Sequence, residues 1–289
     1  LSLSQAAEGN NTGLCLVNGN REQHLSVFDR GLAYGDGLFE TIRVVNSQLT
    51  LQDLHLKRLQ LGLQKLHIPA SIDIALDYMR QLVNLAVDQG QVDGVIKLIV
   101  TRGTGGRGFN PHRVGEPTLV CSWHALPEFS SDLHGRGLDL HLCELRLPYR
   151  PALAGLKHLN CLDYVMASAE LQGMADCDGL LLDADGRMVE AITANLFLLV
   201  NGELQTPRLH RCGVAGTMRR WIMECTAMQL GIAVAERDLP LQALDAAGEV
   251  FICNSVRGVI PVRRVGRRSW QPGAVTAAIQ QQVATLFNA

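Results

Sequence analysis

Lysine is scarce in this chain: against 22 arginines there are four, Lys57, Lys65, Lys97 and Lys157. Lys57 and Lys65 belong to the polar face of a segment with helical apolar spacing. Lys97 interrupts the apolar run Val95-Ile96-Lys97-Leu98-Ile99-Val100, where its stem can snorkel along the neighbours. Lys157 lies in Leu153-Ala154-Gly155-Leu156-Lys157-His158-Leu159-Asn160, at the end of a loop where a helix is predicted to start. Helix N-terminal amides and apolar surroundings both lower a lysine pKa and free the amine to act as a nucleophile; an ordinary exposed lysine is the plainer alternative. Glu190, in Met188-Val189-Glu190-Ala191-Ile192, is an acid on an otherwise apolar strand. A half-buried carboxylate there needs a cationic partner, for which an arginine would suffice.

Two glycine-rich stretches could bind anions. Gly213-Val214-Ala215-Gly216 runs into a predicted helix at Thr217-Met218-Arg219-Arg220, whose free N–H groups suit a phosphate; the glycines equally well just end a loop. Gly103-Thr104-Gly105-Gly106-Arg107-Gly108 spells a dinucleotide fingerprint after a strand, but Pro111, Gly115 and Pro117 forbid the helix such a site requires. That loop joins two strands. It either carries Arg107, with Arg102 at the strand end, toward an anionic ligand, or is a hairpin with solvated arginines.

The elements that must position these residues are legible from periodicity and turn signals. Strands are predicted at Leu14–Val17, Leu25–Phe28, Leu38–Val44 and Gln48–Leu51, with a polar loop over Asp29–Gly37 and turns at Asn18-Gly19-Asn20 and Asn46-Ser47. Helices follow from Asp53 and over Ile72–Gln89, then strands Val95–Thr101 and Thr118–Trp123. Turn residues over Pro127–Asp132 mark a domain boundary. Beyond it come strand Leu138–Leu145, helix Leu159–Gln172, and strands Gly179–Asp183, Met188–Ala191 and Leu196–Val200 with a short one after Asn201-Gly202. Helix Thr217–Leu230, strands Ile232–Glu236, Val250–Cys253 and Val259–Val265, and a helix from Gly273 complete the chain. Strands arrive in runs and hairpins with helices interspersed, an α+β pattern. The expected division is a smaller domain over 1–128 and a larger one over 129–289, with residues 1–13 a loose terminus or a cloning remnant.

Composition narrows the classes. At 289 residues the chain is long enough for about two domains and can bury roughly 75% of its unfolded surface without staples. A net charge of −2 argues against a nucleic-acid-wrapping protein, and 47% hydrophobic against 19% charged residues excludes global disorder. No apolar run reaches the roughly 18 residues of a membrane span, and no signal peptide is visible. The eight cysteines are scattered, with no C-x-x-C, and the nine histidines show no H-x-x-x-H. Buried free thiols in a cytoplasmic protein without a metal are expected.

Taken together, the motifs resemble the fold-type IV pyridoxal-phosphate enzymes, which include branched-chain and D-amino-acid aminotransferases and aminodeoxychorismate lyases. The resemblance runs from about Val17 to Val265 and is carried by Asp29-Arg30-Gly31-Leu32-Ala33-Tyr34-Gly35-Asp36-Gly37-Leu38-Phe39-Glu40-Thr41, His55-Leu56-Lys57-Arg58-Leu59, Lys157, Glu190 with Asn195-Leu196-Phe197, Gly216-Thr217-Met218-Arg219 and Pro261-Val262. Within that family, the segments around Lys157 and over Thr101–Phe109 look most like the aminodeoxychorismate lyase branch. The resemblance implies a homodimer with pyridoxal 5′-phosphate at the domain interface. Lys157 would bond to the cofactor and move protons. Arg58, the Thr217 and Met218 amides and the Ser255 hydroxyl would hold the phosphate. Glu190 would face the pyridine nitrogen, Asn195 would orient that region, and Tyr34 and Thr41 would line the cofactor. Arg107 and Arg102 are the candidates for the substrate carboxylates. The implied reaction converts 4-amino-4-deoxychorismate to 4-aminobenzoate and pyruvate, a step of folate biosynthesis. The alternatives are an aminotransferase on D-amino or branched-chain acids and a non-catalytic carrier of the same cofactor.

Overall fold

The computed structural model describes residues 11–112, 114–127 and 132–287. Most of the expected loose terminus and the core of the expected boundary segment, residues 128–131, lie outside them. The described residues divide into two units. One holds the chain up to Pro127 together with Lys157–Asn160; the other holds residues 132–156 and 161–287.

The first unit contains β1 (Asn11–Val17), β2 (Asn20–Arg21), α1 (Arg30–Tyr34), β3 (Gly37–Val45), β4 (Gln48–Leu49), α2 (Gln52–Leu66), α3 (Ile72–Val87), β5 (Gly94–Thr101) and β6 (Thr118–His124). Its strands form a six-stranded antiparallel sheet in the order β2-β1-β6-β5-β3-β4. Asn18 and Gly19 both take positive φ between β1 and β2, as a tight hairpin demands. Burial along β3 alternates: Leu38, Glu40, Ile42 and Val44 are buried, whereas Phe39, Thr41 and Arg43 are half-buried. The buried face packs against α2, whose Leu59 and Leu63 are buried, and α3 supplies Met79, Leu82 and Ala86 against β1 and β6. α2 comes so near β3 that a Cβ on Gly62 would lie 2.6 Å from Leu38. A larger residue there would have to displace the buried Leu38 side chain.

Two expectations fail in this unit. Residues 25–28 form no strand: Val27 and Phe28 are more than 70% exposed, and the segment ends in a turn. The loop expected over Asp29–Gly37 contains α1, because the Asp29 carboxylate accepts from the Gly31 N–H at 2.7 Å and caps it.

The second unit contains α4 (Leu133–Arg136), β7 (Leu138–Leu147), α5 (Leu162–Ala169), β8 (Cys177–Asp183), β9 (Arg187–Ala191), β10 (Asn195–Val200) and β11 (Glu203–Pro207). There follow α6 (Thr217–Trp221), α7 (Ala227–Gln229), β12 (Val234–Arg237), β13 (Leu239–Pro240), β14 (Glu249–Asn254), β15 (Gly258–Val265), β16 (Arg268–Ser269) and α8 (Ala274–Phe287). The strands build a mixed sheet in the order β12-β11-β10-β14-β15-β7-β8-β9-β13, with β16 on β15. The pairs β7–β8, β15–β7 and β11–β12 are parallel. One core gathers Leu138, Leu180, Leu196, Ile252 and Ile260, and a second gathers Cys143, Leu147, Leu181, Val189 and Cys212. The helix expected over 217–230 is continuous but passes through a π turn at Ile222–Thr226. The helix expected from Leu159 starts only at Leu162.

Candidate active site

That late start changes the account of Lys157. The residue is not at a helix N-terminus. Residues 157–159 instead extend along the edge of β3: Phe39 N–H donates to the Lys157 carbonyl at 2.9 Å, and Leu159 N–H to the Gly37 carbonyl at 3.0 Å. Leu38 and His158 form the bridge between them, and Asn160 Nδ2 fastens the end to the Gly35 carbonyl at 2.9 Å. The Lys157 Nζ lies 4.2 Å from the Phe39 ring centroid, within cation–π range. Lys57, Lys65 and Lys97 are exposed, and Lys157 is half-buried. The backbone of the candidate nucleophile is thus fixed by sheet pairing.

On the buried face of β3, Glu40 meets two residues one helical turn apart on α2. His55 Nδ1 is 2.6 Å from Glu40 Oε2, and Arg58 donates Nε to Oε1 at 2.8 Å and Nη2 to Oε2. Burial pushes the Glu40 carboxyl up, but the charge and hydrogen bonds of Arg58, helped by His55, outweigh it and hold it at about 2. Burial pushes the His55 imidazole down. The guanidinium fork of Arg58 is therefore oriented by a carboxylate that stays ionised, an arrangement suited to presenting a fixed cation to an anion. Glu40 and His55 lie within the motifs that carry the family resemblance, but the sequence alone assigns neither a role. The signal was available, since Glu40 is an acid at a core position of an alternating strand.

In the second unit, Glu190 on β9 is 3% exposed. Its Oε1 accepts from the Tyr164 hydroxyl at 2.6 Å, its Oε2 from Asn195 Nδ2 at 3.1 Å, and both oxygens from the Val214 N–H at 3.2 and 3.1 Å. Where a plain arginine salt bridge was one reading, these three donors are neutral. Asn195, on β10, also donates to the Val214 carbonyl at 2.8 Å. A Cβ on Gly216 would lie 1.9 Å from Asn195 Oδ1, and Gly213, at φ +87°, would put one 2.7 Å from Val189. The two glycines are there because Asn195 and Val189 occupy the space a side chain would need. The preceding segment is tied in as well, Gly155 N–H donating to Gly213 and Ala215 N–H to Gly155.

Gly216 caps α6, and Thr217 and Met218 in its first turn are buried. Ser255 is half-buried in the turn after β14. That turn is held by Asn254 Oδ1, which accepts from the Val256 and Arg257 N–H groups at 3.0 and 2.7 Å. Arg257 reaches buried Asp178 at 3.2 Å and also Thr193.

The amino-transferase class IV family matches residues 37–265 of this sequence. The chain belongs to that family. This class IV chain is 36% identical to the aminodeoxychorismate lyase of Vibrio harveyi over 85% of its own length and 89% of that protein's. The crystal structure of 4-amino-4-deoxychorismate lyase from Pseudomonas aeruginosa superposes with a TM-score of 0.89 at 41% identity, covering 94% of this chain and 98% of that one. A branched-chain-amino-acid aminotransferase of Salmonella typhimurium is 26% identical over 91% of this chain and 87% of that protein. The fold is accordingly the two-domain α+β fold of the fold-type IV enzymes.

The remaining candidates of the class IV chain separate by burial. Arg107 is exposed on the glycine-rich loop. Arg102 is 6% exposed and its guanidinium is engaged, with Nε and Nη2 on Asp36 at 2.8 and 3.0 Å, Nη1 on the His67 carbonyl and Nη2 on the Leu66 carbonyl. It caps α2 and neutralises Asp36, so the expected reach toward a ligand is not what its side chain does here. Arg30 also binds Asp36, at 2.8 Å, and holds the loop through the Gly108 carbonyl at 3.0 Å. Tyr34 lies between Arg30, 4.9 Å from its centroid, and Phe109, whose ring centroid is 5.3 Å away. Thr41 is half-buried on β3 opposite Lys97.

Proposed function

We propose that this class IV chain is a pyridoxal-phosphate-dependent lyase that converts 4-amino-4-deoxychorismate to 4-aminobenzoate and pyruvate. The observation that carries the reading is the chain-long likeness, at 41% identity, to the Pseudomonas aeruginosa 4-amino-4-deoxychorismate lyase. The side chains fit the cofactor's chemistry group by group. An aldehyde needs an amine, and Lys157 is the half-buried lysine. A protonated pyridine nitrogen needs an acid, and Glu190 is a buried carboxylate held by the Tyr164 hydroxyl, Asn195 and the Val214 N–H. A phosphate needs a fixed cation and hydrogen-bond donors, for which Arg58, the Thr217 and Met218 amides and the Ser255 hydroxyl are the candidates.

When bound, the cofactor supplies an electron sink for the carbon that loses its proton. Glu190 sustains that sink by holding positive charge at the ring nitrogen. The Lys157 amine would take the proton from the substrate's ring carbon bearing nitrogen. The bond between the neighbouring carbon and the enolpyruvyl oxygen then breaks, the six-membered ring becomes aromatic, and the departing fragment carries the bonding pair. The Lys157 ammonium returns its proton to the enolpyruvyl methylene, giving pyruvate. No oxidant or second substrate is consumed. Arg107 is the proposed partner of a substrate carboxylate, Tyr34 and Thr41 line the site, and the active form is a cytoplasmic homodimer.

The likeness to the Salmonella typhimurium aminotransferase favours a second reading, transamination of branched-chain amino acids. One assay separates them. Purified protein with pyridoxal phosphate and 4-amino-4-deoxychorismate, without any 2-oxo acid, should release pyruvate and 4-aminobenzoate in equal amounts. Turnover that appears only with an amino acid and a 2-oxo acid acceptor would replace the lyase reading by the aminotransferase one.

A further inference from the structure

Glu190 receives hydrogen bonds from three separate elements: Tyr164 on α5, Asn195 on β10 and the Val214 amide in the loop before α6. The Tyr164 contact is the shortest of them, at 2.6 Å. We infer that the Tyr164 hydroxyl is a positioning group for Glu190, fixing the plane of the carboxylate and keeping it ionised toward the cofactor's ring nitrogen. The inference rests on the proposed cofactor role of Glu190 and names a residue that this role does not by itself require.

The physical case has three parts. A donor on a carboxylate stabilises the charged form, so each one lowers its appetite for a proton. Burial and the neighbouring Glu190 charge push the Tyr164 phenol far up, so the hydroxyl is protonated at every working pH and always donates. The residue packs against the apolar cluster that contains Leu147, Leu181 and Val189, packing that a phenylalanine would provide equally well. The hydroxyl is therefore the atom whose purpose packing does not explain. Without it, Glu190 keeps Asn195 and Val214 but becomes more basic and less firmly oriented. The acid then competes for the ring-nitrogen proton instead of supporting the charge there.

Tyr164→Phe tests this, with pyridoxal phosphate titrated into the apoproteins of wild type and variant. Borohydride reduction followed by peptide mapping establishes first that wild type carries the cofactor on Lys157. The variant should keep the wild-type circular dichroism and thermal midpoint, while binding pyridoxal phosphate about tenfold more weakly, the worth of one hydrogen bond to a charged group. The pH midpoint of its visible absorbance band should move, and kcat should fall with KM unchanged. Cofactor affinity, band and pH profile all equal to wild type would overturn the inference and leave the cofactor reading standing. A wild type that carries no cofactor on Lys157 would overturn that reading and the inference with it.

Discussion

Glu40→Gln probes the ion cluster on which the orientation of Arg58 depends. The Glu40 side chain is 2% exposed and that of Arg58 12%, so neither group has water to replace a lost partner. Removing one member of a buried pair costs about 3–5 kcal/mol, and glutamine, which keeps the shape and one acceptor oxygen, belongs at the lower end. Proton linkage gives the same order. The carboxyl sits at about 2 when folded against an ordinary 4.5, a depression worth about 3 kcal/mol. Because the folded value is the lower one, that stabilisation is complete above pH 4.5 and is lost as the pH falls toward 2. Urea unfolding followed by circular dichroism, from pH 7 downward, reads both effects. The wild type should exceed the variant by about 3 kcal/mol at pH 7, with the gap narrowing below the ordinary carboxyl pKa. A gap under about 1 kcal/mol, the worth of an exposed pair, would refute the reasoning, as would a gap that does not change with pH.

Three further outcomes are expected. Glu190→Gln should fold normally and bind pyridoxal phosphate, but slow proton abstraction in stopped-flow absorbance by about 10- to 1000-fold, since it removes a charge aimed at the reacting system; an unchanged rate would make the acid structural. Arg107→Ala should lower kcat/KM by about 2–3 kcal/mol through loss of a charged partner, leaving cofactor absorbance unaltered; loss of cofactor with substrate affinity spared would assign the loop to the phosphate instead. Arg102→Ala should do the reverse, costing about 2–3 kcal/mol in urea unfolding by leaving Asp36 with Arg30 alone and the Leu66 and His67 carbonyls without their guanidinium donor, with KM unchanged.

The elements were legible where a single period governed the pattern. β3, β5, β6, α2 and α3 follow from alternation and helical spacing, and the Asn18-Gly19 turn from its dipeptide. Residues 25–28 carry apolar side chains in a strand-like run but join no sheet among the described residues, and apolarity alone does not reveal a missing partner strand. α1 hid in a polar loop because five residues are too few to show a period, although Asp29 is a capping residue. The site was legible residue by residue and not as a set of contacts. Lys157 was singled out by its scarcity and context, yet the predicted helix start does not hold it; pairing with β3, more than a hundred residues earlier, does. Arg102 and Arg107 looked alike in sequence and differ only because Asp36 and the end of α2 surround the first. Glu40 and His55 stand inside the quoted motifs without showing a role there, and Tyr164 stands outside them; all three roles are set by a carboxylate or cation brought near by the fold.

The measurement that bears most directly on the central claim is a peptide map of the purified protein after incubation with pyridoxal phosphate and reduction by borohydride. One stoichiometric phosphopyridoxyl modification is expected, on Lys157, with loss of the visible absorbance band and of pyruvate release. Modification of Lys57, Lys65 or Lys97 in its place, or full lyase activity after Lys157 has been blocked, would contradict it.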